Sequence, residues 1–363
     1  MDGQALLELL REIDYESLLY QLTPLTIALA HIEITKINKY KLARYAQPFG
    51  IERVCLTPKV IPKKKHIHKY INKNFDDRLN EFLGVITNRS GIDAEDLSIL
   101  YKNLSRLIVS TAFIYKENIG GTYNIITNHI TLFTDDYLDS TIFHELFHVS
   151  NSMIKNGICY SGFSQSKLFG SKVIGVGLNE GYTEFMTEKC FKKIVDTYYA
   201  YEVIISSCLD EIVGINKMEK LYLHADLSGL IGELSRYASY EEITQFISSL
   251  DAYHNREALG DELKPKNTDI ILKHAYDINT FVFKSYFRKL LMQYEDDEIG
   301  WNELISKAHT YFYNFKVGCD IHNLSYKKLH IEEVYSEQLA KLINLDELEM
   351  IKIKKKLYNW LEG

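Results

Sequence analysis

The chain has 363 residues, of which 46% are hydrophobic and 25% are charged, and its formal net charge is −7. This composition excludes a disordered or low-complexity protein, and the length suffices for one large domain or two ordinary ones. The negative charge argues against a general nucleic-acid-binding surface. Lys63, Lys64 and Lys65 form a local basic run, for which a solvated loop is favoured over a binding patch.

From the residue pattern of its first part, we expect neither a secretion signal nor a membrane-spanning segment. The most apolar early stretch, residues 25–34, is interrupted by His31 and Glu33, and it is far shorter than the roughly 20 residues that span a bilayer. The five cysteines are odd in number and form no CxxC pair, a usage typical of reduced thiols. We therefore predict a cytoplasmic protein with no membrane partner.

Three regions are predicted along the chain. Residues 1–60 carry short amphipathic segments and form an N-terminal helical segment. Residues 61–190 form an α+β section, and residues 191–363 form a helical, aromatic-rich region. Within the last region, the polar stretch 254–269 is predicted to be an exposed loop or an internal boundary.

The α+β section contains predicted helices, strands and a hairpin. Apolar residues at three- and four-residue spacings predict helices over 75–85 and 94–108, and a β-rich run predicts a strand over 107–115. The sequence TYNIITNHITLF, residues 122–133, predicts a hairpin that turns at Thr127 and Asn128.

The next predicted helix covers residues 141–155 and contains the sequence HELFH. Asp139, Ser140 or Thr141 can cap its start, and Asn156-Gly157 supplies a stop. Residues i and i+4 of a helix differ by about 40° around its axis, so the two histidines share one face.

The two histidines, His144 and His148, with Glu145 between them, form an HExxH motif. Two imidazole nitrogens at this spacing can bind one zinc ion, and Glu145 lies where a general base would act on a zinc-bound water. The alternative is a helix that contains histidines by chance, and a chance motif would not be expected to bring a matched third ligand.

A catalytic zinc ion takes three protein ligands, and the sequence GVGLNEGYTEFMTEK at 175–189 offers the third. The metzincin form of the motif is excluded because Asn151 and Ile154 stand where it requires Gly and His. Glu180 and Glu184 are spaced i, i+4 on a second predicted helix, which Asn179 or the turn at Gly177 can begin. One carboxylate can ligate zinc, and the other can accept the free N–H of a ligand histidine.

HELFH followed by NEGYTE resembles the two motifs of the gluzincin metallopeptidases, whose thermolysin-like members carry HExxH and then NExxSD. Thr183 and Glu184 replace the Ser and Asp of that second motif. The triplet NEG is also similar to the zinc-binding segment of the aminopeptidase branch. The resemblance covers residues 120–190, and the chain as a whole resembles uncharacterised bacterial zincin-like proteins.

This resemblance implies a fold, a metal and roles for individual residues. The implied fold is α+β, with a zincin-like catalytic core of a small mixed sheet and the HExxH helix, followed by a mostly helical C-terminal region that completes the cleft. The implied cofactor is one Zn²⁺, held by His144, His148 and Glu180. Glu184 is then the carboxylate that hydrogen-bonds a ligand histidine, His144.

Zincins bind an extended substrate along an edge strand, through backbone groups. Residues 122–126 and residues 129–133 are both candidates for that strand. The preferred substrate strand comprises four residues: Gly121, Thr122, Tyr123 and Asn124. His129 is a further candidate ligand, although a solvated histidine is favoured there.

Two other features of the sequence bear on the predicted site. The segment between the motifs, YSGFSQSKLFGSKVIGVG, is predicted to form a short β-hairpin followed by a glycine-rich approach to the second helix. Its glycines (162, 170, 175 and 177) either bring backbone close to the metal or belong to a plain surface loop. Tyr222, His224 and Tyr160 are candidates for the residue that stabilises the oxyanion, with core packing favoured for the first two.

The leading hypothesis is a zinc metallopeptidase acting on a peptide or protein substrate, in which a zinc-bound water attacks and Glu145 takes and returns the proton. Both endopeptidase and aminopeptidase activity fit these residues. One alternative is a non-catalytic interaction protein with a zincin fold, against which the intact Glu145 argues. The other is a zinc amidohydrolase acting on a non-peptide amide.

Overall fold

The secondary structure comprises helices and two small sheets, as given by a computed structural model. It describes residues 52–53, 73–112, 120–133, 139–168, 172–191, 199–257, 265–325 and 328–343. The predicted N-terminal segment 1–60, apart from residues 52–53, and the basic run Lys63–Lys65 lie outside the described residues. The α+β class is confirmed.

The described part of the chain divides into two units by the clustering of its contacts. The first contains the residues up to Asn179, together with Met186–Val195 and Glu219–Leu227. The second contains Glu180–Phe185, Asp196–Met218 and the residues from Ser228 onward.

The first unit begins with two helices and a four-stranded mixed sheet. The helices are α1 (Lys73–Thr87) and α2 (Ser98–Leu104), and the strands are β1 (Glu52–Arg53), β2 (Ile108–Ala112), β3 (Gly121–Asn124) and β4 (His129–Phe133). The strand order is β1-β2-β4-β3, in which β2 and β4 run parallel and the other pairs run antiparallel. The predicted hairpin is therefore confirmed, with β3 at the edge of the described sheet.

The helix predicted over 94–108 is wrong at both ends. The Asp93 carboxylate accepts hydrogen bonds from the backbone N–H groups of Glu95 and Asp96 at 2.9 and 3.1 Å, which makes a turn before α2. At the other end, Ile108 pairs with His129 and begins β2, as the prediction of a strand over 107–115 requires. Residues 113–115 of that prediction lie outside the described residues.

A second sheet lies between two further helices along the chain. Helix α3 (Asp139–Asn151) leads into the antiparallel strands β5 (Ser152–Lys155), β6 (Ile158–Ser161), β7 (Ser164–Lys167) and β8 (Val173–Ile174), which are followed by α4 (Val176–Phe191). The hairpin predicted between the motifs is confirmed as β6 and β7. We call β5–β8 the meander.

Helix α3 ends four residues earlier than predicted, because Asn156-Gly157 is a hairpin turn and not a helix stop. Asn156 and Gly157 have φ values of 53° and 72°, which a type I′ turn between β5 and β6 requires. The Asn103 side chain donates to the carbonyls of Val149 and Ser152 at 2.9 and 2.7 Å. These bonds satisfy backbone groups where the helix changes to a strand.

The second unit is helical in its described part, as the sequence predicts for the residues beyond 190. Its helices are α5 (Ala200–Val213), the first four residues of α6 (Ile215–Leu223), α7 (Leu227–Leu234) from Ser228 onward, α8 (Tyr240–Glu257), α9 (Pro265–Glu295), α10 (Trp301–Ile321) and α11 (Ile331–Ile343). Helix α9 packs against α5, α8, α10 and α11. None of the described helices combines the length and the apolar character needed to cross a membrane.

Residues 254–269 are predicted to be an exposed loop or an internal boundary. As an exposed loop this prediction is wrong at both ends, where the chain is helical. Residues up to 257 belong to α8, and residues from 265 belong to α9, while 258–264 lie outside the described residues. His254 is buried. Its Nδ1 atom lies 3.2 Å from the Glu202 carboxylate, and its ring stacks on Tyr199. A polar sequence therefore continues a helix here, and its histidine is accommodated by a buried contact with Glu202.

Candidate metal centre

Helix α3 carries the HExxH motif and is buried on all sides. Its apolar side chains have no exposed surface; they are Ile142, Phe143, Leu146, Phe147 and Val149. The polar residues His144, Glu145 and His148 are only 8%, 5% and 8% exposed. Buried polar groups of this kind require partners, because desolvation without compensation costs about 1–3 kcal/mol per group.

The two histidines direct the same ring atom toward each other. His144 Nε2 and His148 Nε2 lie 3.0 Å apart. Two nitrogens at 2.0–2.1 Å from one tetrahedral zinc ion would lie about 3.3 Å apart, so a shift of a few tenths of an ångström suffices. The Nε2 atoms are therefore the ones that can share an ion.

Glu180 completes a three-residue group with the histidines. One ligand atom each from His144, His148 and Glu180 lies within 4.8 Å of the others, and no other such group occurs among the described residues. Two imidazoles and one carboxylate are a donor set of catalytic zinc sites. The side chains present therefore fit a zinc ion in number and chemistry.

Asn179, which immediately precedes Glu180, lies against the far side of the His148 ring. Its Nδ2 atom is 3.5 Å from His148 Nδ1. If His148 offers the lone pair of Nε2 to a metal, its proton resides on Nδ1 and needs an acceptor. With its oxygen and nitrogen exchanged, the Asn179 amide would supply that acceptor and would turn its nitrogen toward Gly162.

The predicted helix start at Asn179 or at the turn of Gly177 is wrong. Helix α4 begins at Val176 instead, and Asn179 N–H makes a hydrogen bond of 2.9 Å to the Gly175 carbonyl within the first turn. The sequence signal for a role beside the metal was its position in the NE pair, directly before the ligand.

Glu184 lies one turn after Glu180 on α4 and is 8% exposed. Burial lowers the pKa of His322, and the negative charge of Glu184 acts in the opposite direction on that pKa. The hydrogen bond from His144 to Glu184 stays a prediction. His322 was not singled out in the sequence, because its place at the C-terminal cap of α10 depends on tertiary packing.

The candidate oxyanion residues have described partners elsewhere in the first unit. Tyr222 has no exposed surface, and its ring centroid lies 6.4 Å from that of Phe147 and 5.5 Å from that of Phe163. His224 Nε2 lies 2.8 Å from an Asp96 carboxylate oxygen. Core packing, which the sequence favoured for both residues, is confirmed for Tyr222 and wrong for His224, whose side chain is exposed beside Asp96. The oxyanion role of Tyr222, of His224 or of Tyr160 on β6 stays a prediction.

The edge strand β3 approaches the motif helix at Gly121. A Cβ atom on Gly121 would lie 2.9 Å from Thr141 Cγ2 and 3.3 Å from Glu145 Oε1. The backbone of β3 therefore reaches the Glu145 carboxylate because Gly121 has no side chain. Of the two candidate edge strands, β4 lies inside the sheet, and its His129 Nε2 is 2.7 Å from Ser110 Oγ.

Gly181, which follows Glu180, is where α4 touches α5 within the second unit. A Cβ atom at this position would lie 2.7 Å from the backbone oxygen of Glu202. Real Cβ atoms do not approach backbone oxygens this closely, so the contact requires glycine.

Replacing Gly181 by alanine should lower stability by about 1–3 kcal/mol, because the added methyl group is forced against a backbone that cannot rotate away. Gly232→Ala is the matched control in α7. A methyl group there meets nothing within 4 Å, and the change should raise stability by about 0.5–1 kcal/mol. Urea unfolding of the two variants measures both effects, and an equal gain in both would contradict the close contact.

Comparisons of the chain with protein-family models, with curated proteins and with solved structures find no match. The resemblance to the gluzincins therefore depends on the two motifs. The geometry adds that three side chains of these motifs, His144, His148 and Glu180, have ligand atoms within 4.8 Å of one another.

Proposed function

We propose that this protein is a zinc-dependent metallopeptidase with a zincin-like core and gluzincin-type ligands, acting on a peptide or protein substrate. The observation that carries the proposal is the convergence of His144, His148 and Glu180. Zinc held by these three residues would polarise the peptide carbonyl and lower the pKa of a water molecule.

Glu145 is the proposed general base. It neighbours His144 on α3, and its carboxylate is buried beside the backbone position of Gly121. Its carboxylate takes a proton from the attacking water as the new C–O bond forms. It then delivers that proton to the amine nitrogen as the C–N bond breaks, so the products are a carboxylic acid and an amine.

Strand β3 is the proposed docking site for the substrate backbone. It pairs with β4 on one side and has no other neighbouring strand in the described sheet. An extended peptide can add to such an edge through main-chain hydrogen bonds, whatever its side chains. The approach of Gly121 to Glu145 would bring that peptide to the general base.

Cleavage of a mixed peptide library by the zinc-loaded protein, read by mass spectrometry, tests the proposal. We expect cleavage that stops when a chelator removes the metal and returns when one equivalent of zinc is added. Cleavage that survives complete removal of the metal would refute the proposal. Zinc binding without peptide cleavage would refute it as well, in favour of an amidohydrolase if simple amides are hydrolysed and of an interaction protein if they are not.

A further inference from the structure

The meander joins the ends of the two motif helices directly. Strand β5 begins at Ser152, immediately after the last residue of α3, and β8 ends at Ile174, two residues before the start of α4. The turn between β6 and β7, residues 161–164, returns to this junction. We call it the 161–164 turn.

The 161–164 turn is tied to the C-terminal end of α3. Gly162 N–H donates a hydrogen bond of 3.1 Å to the carbonyl of Asn151, the last residue of that helix. Ser152 Oγ donates to Ser161 Oγ at 2.7 Å. A carbonyl at a helix C-terminus has no partner within the helix, so the turn satisfies a group that would otherwise be unsatisfied.

The same turn also contacts the first residues of α4. A Cβ atom on Gly162 would overlap the Asn179 side-chain oxygen and would lie 2.6 Å from Tyr222 Cε2. A Cβ atom on Gly175 would overlap the carbonyl oxygen of Phe163. Both glycines have positive φ values, 49° and 80°.

The Asn179 side chain connects the 161–164 turn to the candidate ligand His148. Asn179 is 2% exposed, and its amide lies between Gly162 and the Nδ1 atom of His148. Tyr222 is fully buried beside Gly162, which limits where the amide can move. A displacement of Asn179 must therefore change the support of the His148 ring.

We propose that the 161–164 turn positions His148 for metal binding, with Gly162 as a positioning residue that acts through Asn179. The proposal rests on the proposed zinc site. It adds that the meander tunes the metal affinity, although none of its described residues belongs to the three-residue metal group. Partners that orient ligand histidines in this way typically change metal affinity about 10–100-fold.

Gly162→Ala tests the proposal, with Gly157→Ala as the matched control. Gly157 lies in the neighbouring turn of the same sheet and has a positive φ of 72°, but a methyl group there meets nothing within 4 Å. Both alanines suffer backbone strain, so both should lower the melting temperature of the metal-free protein. Only Gly162→Ala should weaken zinc binding, by about 10–100-fold, in competition with a chromophoric chelator.

Asn179→Ala gives an independent measurement if Gly162→Ala does not fold. It removes the crowded amide and leaves the turn intact, and it should weaken zinc binding by a similar factor. In this background, Gly162→Ala should cause little further loss, because the group through which it acts is gone.

The outcomes separate the two proposals. Zinc affinity unchanged in Gly162→Ala or in Asn179→Ala, with tight binding by the wild type, would overturn the role of the turn and leave the zinc site intact. Equal losses in Gly162→Ala and Gly157→Ala would also overturn it, since backbone strain alone would then suffice. A wild-type protein that binds no zinc would overturn both proposals.

Discussion

Glu145→Gln should reduce peptide hydrolysis by at least about 100-fold and leave the zinc content unchanged. Glutamine keeps the shape of the side chain but cannot accept the proton of the attacking water, and general acid–base catalysis contributes about 10²–10⁴-fold. Glu145 is not a member of the three-residue metal group, so the ligands remain. Initial rates on the best library peptide, measured beside zinc analysis of the same sample, test both parts.

Glu145→Asp provides the control for this measurement. It restores the carboxylate but shortens the side chain by one methylene group, so we expect a rate between those of the wild type and Glu145→Gln. A glutamine variant that cleaves at nearly the wild-type rate would show that this glutamate is not the base. Loss of zinc in that variant would instead indicate that Glu145 supports the metal.

Substituting both motif histidines by alanine should abolish zinc binding, which is expected at about one ion per chain in the wild type. His144 and His148 are two of the three proposed ligands, and a single remaining carboxylate cannot hold zinc against water at micromolar concentration. Because a ligand that binds only the folded state stabilises it, added zinc should raise the melting temperature of the wild type alone. Elemental analysis and thermal unfolding measure these effects.

His129→Ala is the matched control. Because His129 contacts Ser110, we expect this variant to retain its zinc. Glu180→Ala should also lose the metal, whereas Glu184→Ala should weaken binding about 10–100-fold without abolishing it. Complete loss in Glu184→Ala with retention in Glu180→Ala would reverse the two roles. Undiminished zinc in the double histidine variant would disprove the site.

The parts of the site that are local in sequence were predictable. Positions i and i+4 share a face on any helix, so the approach of His144 and His148 follows from their spacing. The place of Glu180 required a second motif, because no local rule brings α3 and α4 together. The hairpin of β3 and β4 was equally local, with the Asn124 side chain accepting from Ile126 N–H at 2.9 Å in its turn.

The end of helix α3 could not be predicted because two local signals conflict there. Met153 and Ile154 continue an apolar pattern that fits a helix, and Asn156-Gly157 is both a helix stop and a strong hairpin signal. The choice between helix and strand at this point depends on Asn103, which is distant in sequence. Its side chain donates a hydrogen bond to the carbonyl of Ser152, the first residue of the strand. Core packing of Tyr222 was favoured by its sequence, whereas its ring partners Phe147 and Phe163 depend on tertiary packing.

The tip of the first hairpin of the meander also bears on how the chain can change in length. Asn156 and Gly157 are exposed there, and β5 and β6 pair in register from Lys155 and Ile158 back to Ser152 and Ser161. Adding residues in pairs at this tip would lengthen the hairpin outward and preserve which face each side chain occupies, whereas a register shift by one residue would reverse the faces. Engineered insertions or deletions of residue pairs at this tip should therefore leave the arrangement of His144, His148 and Glu180 unchanged.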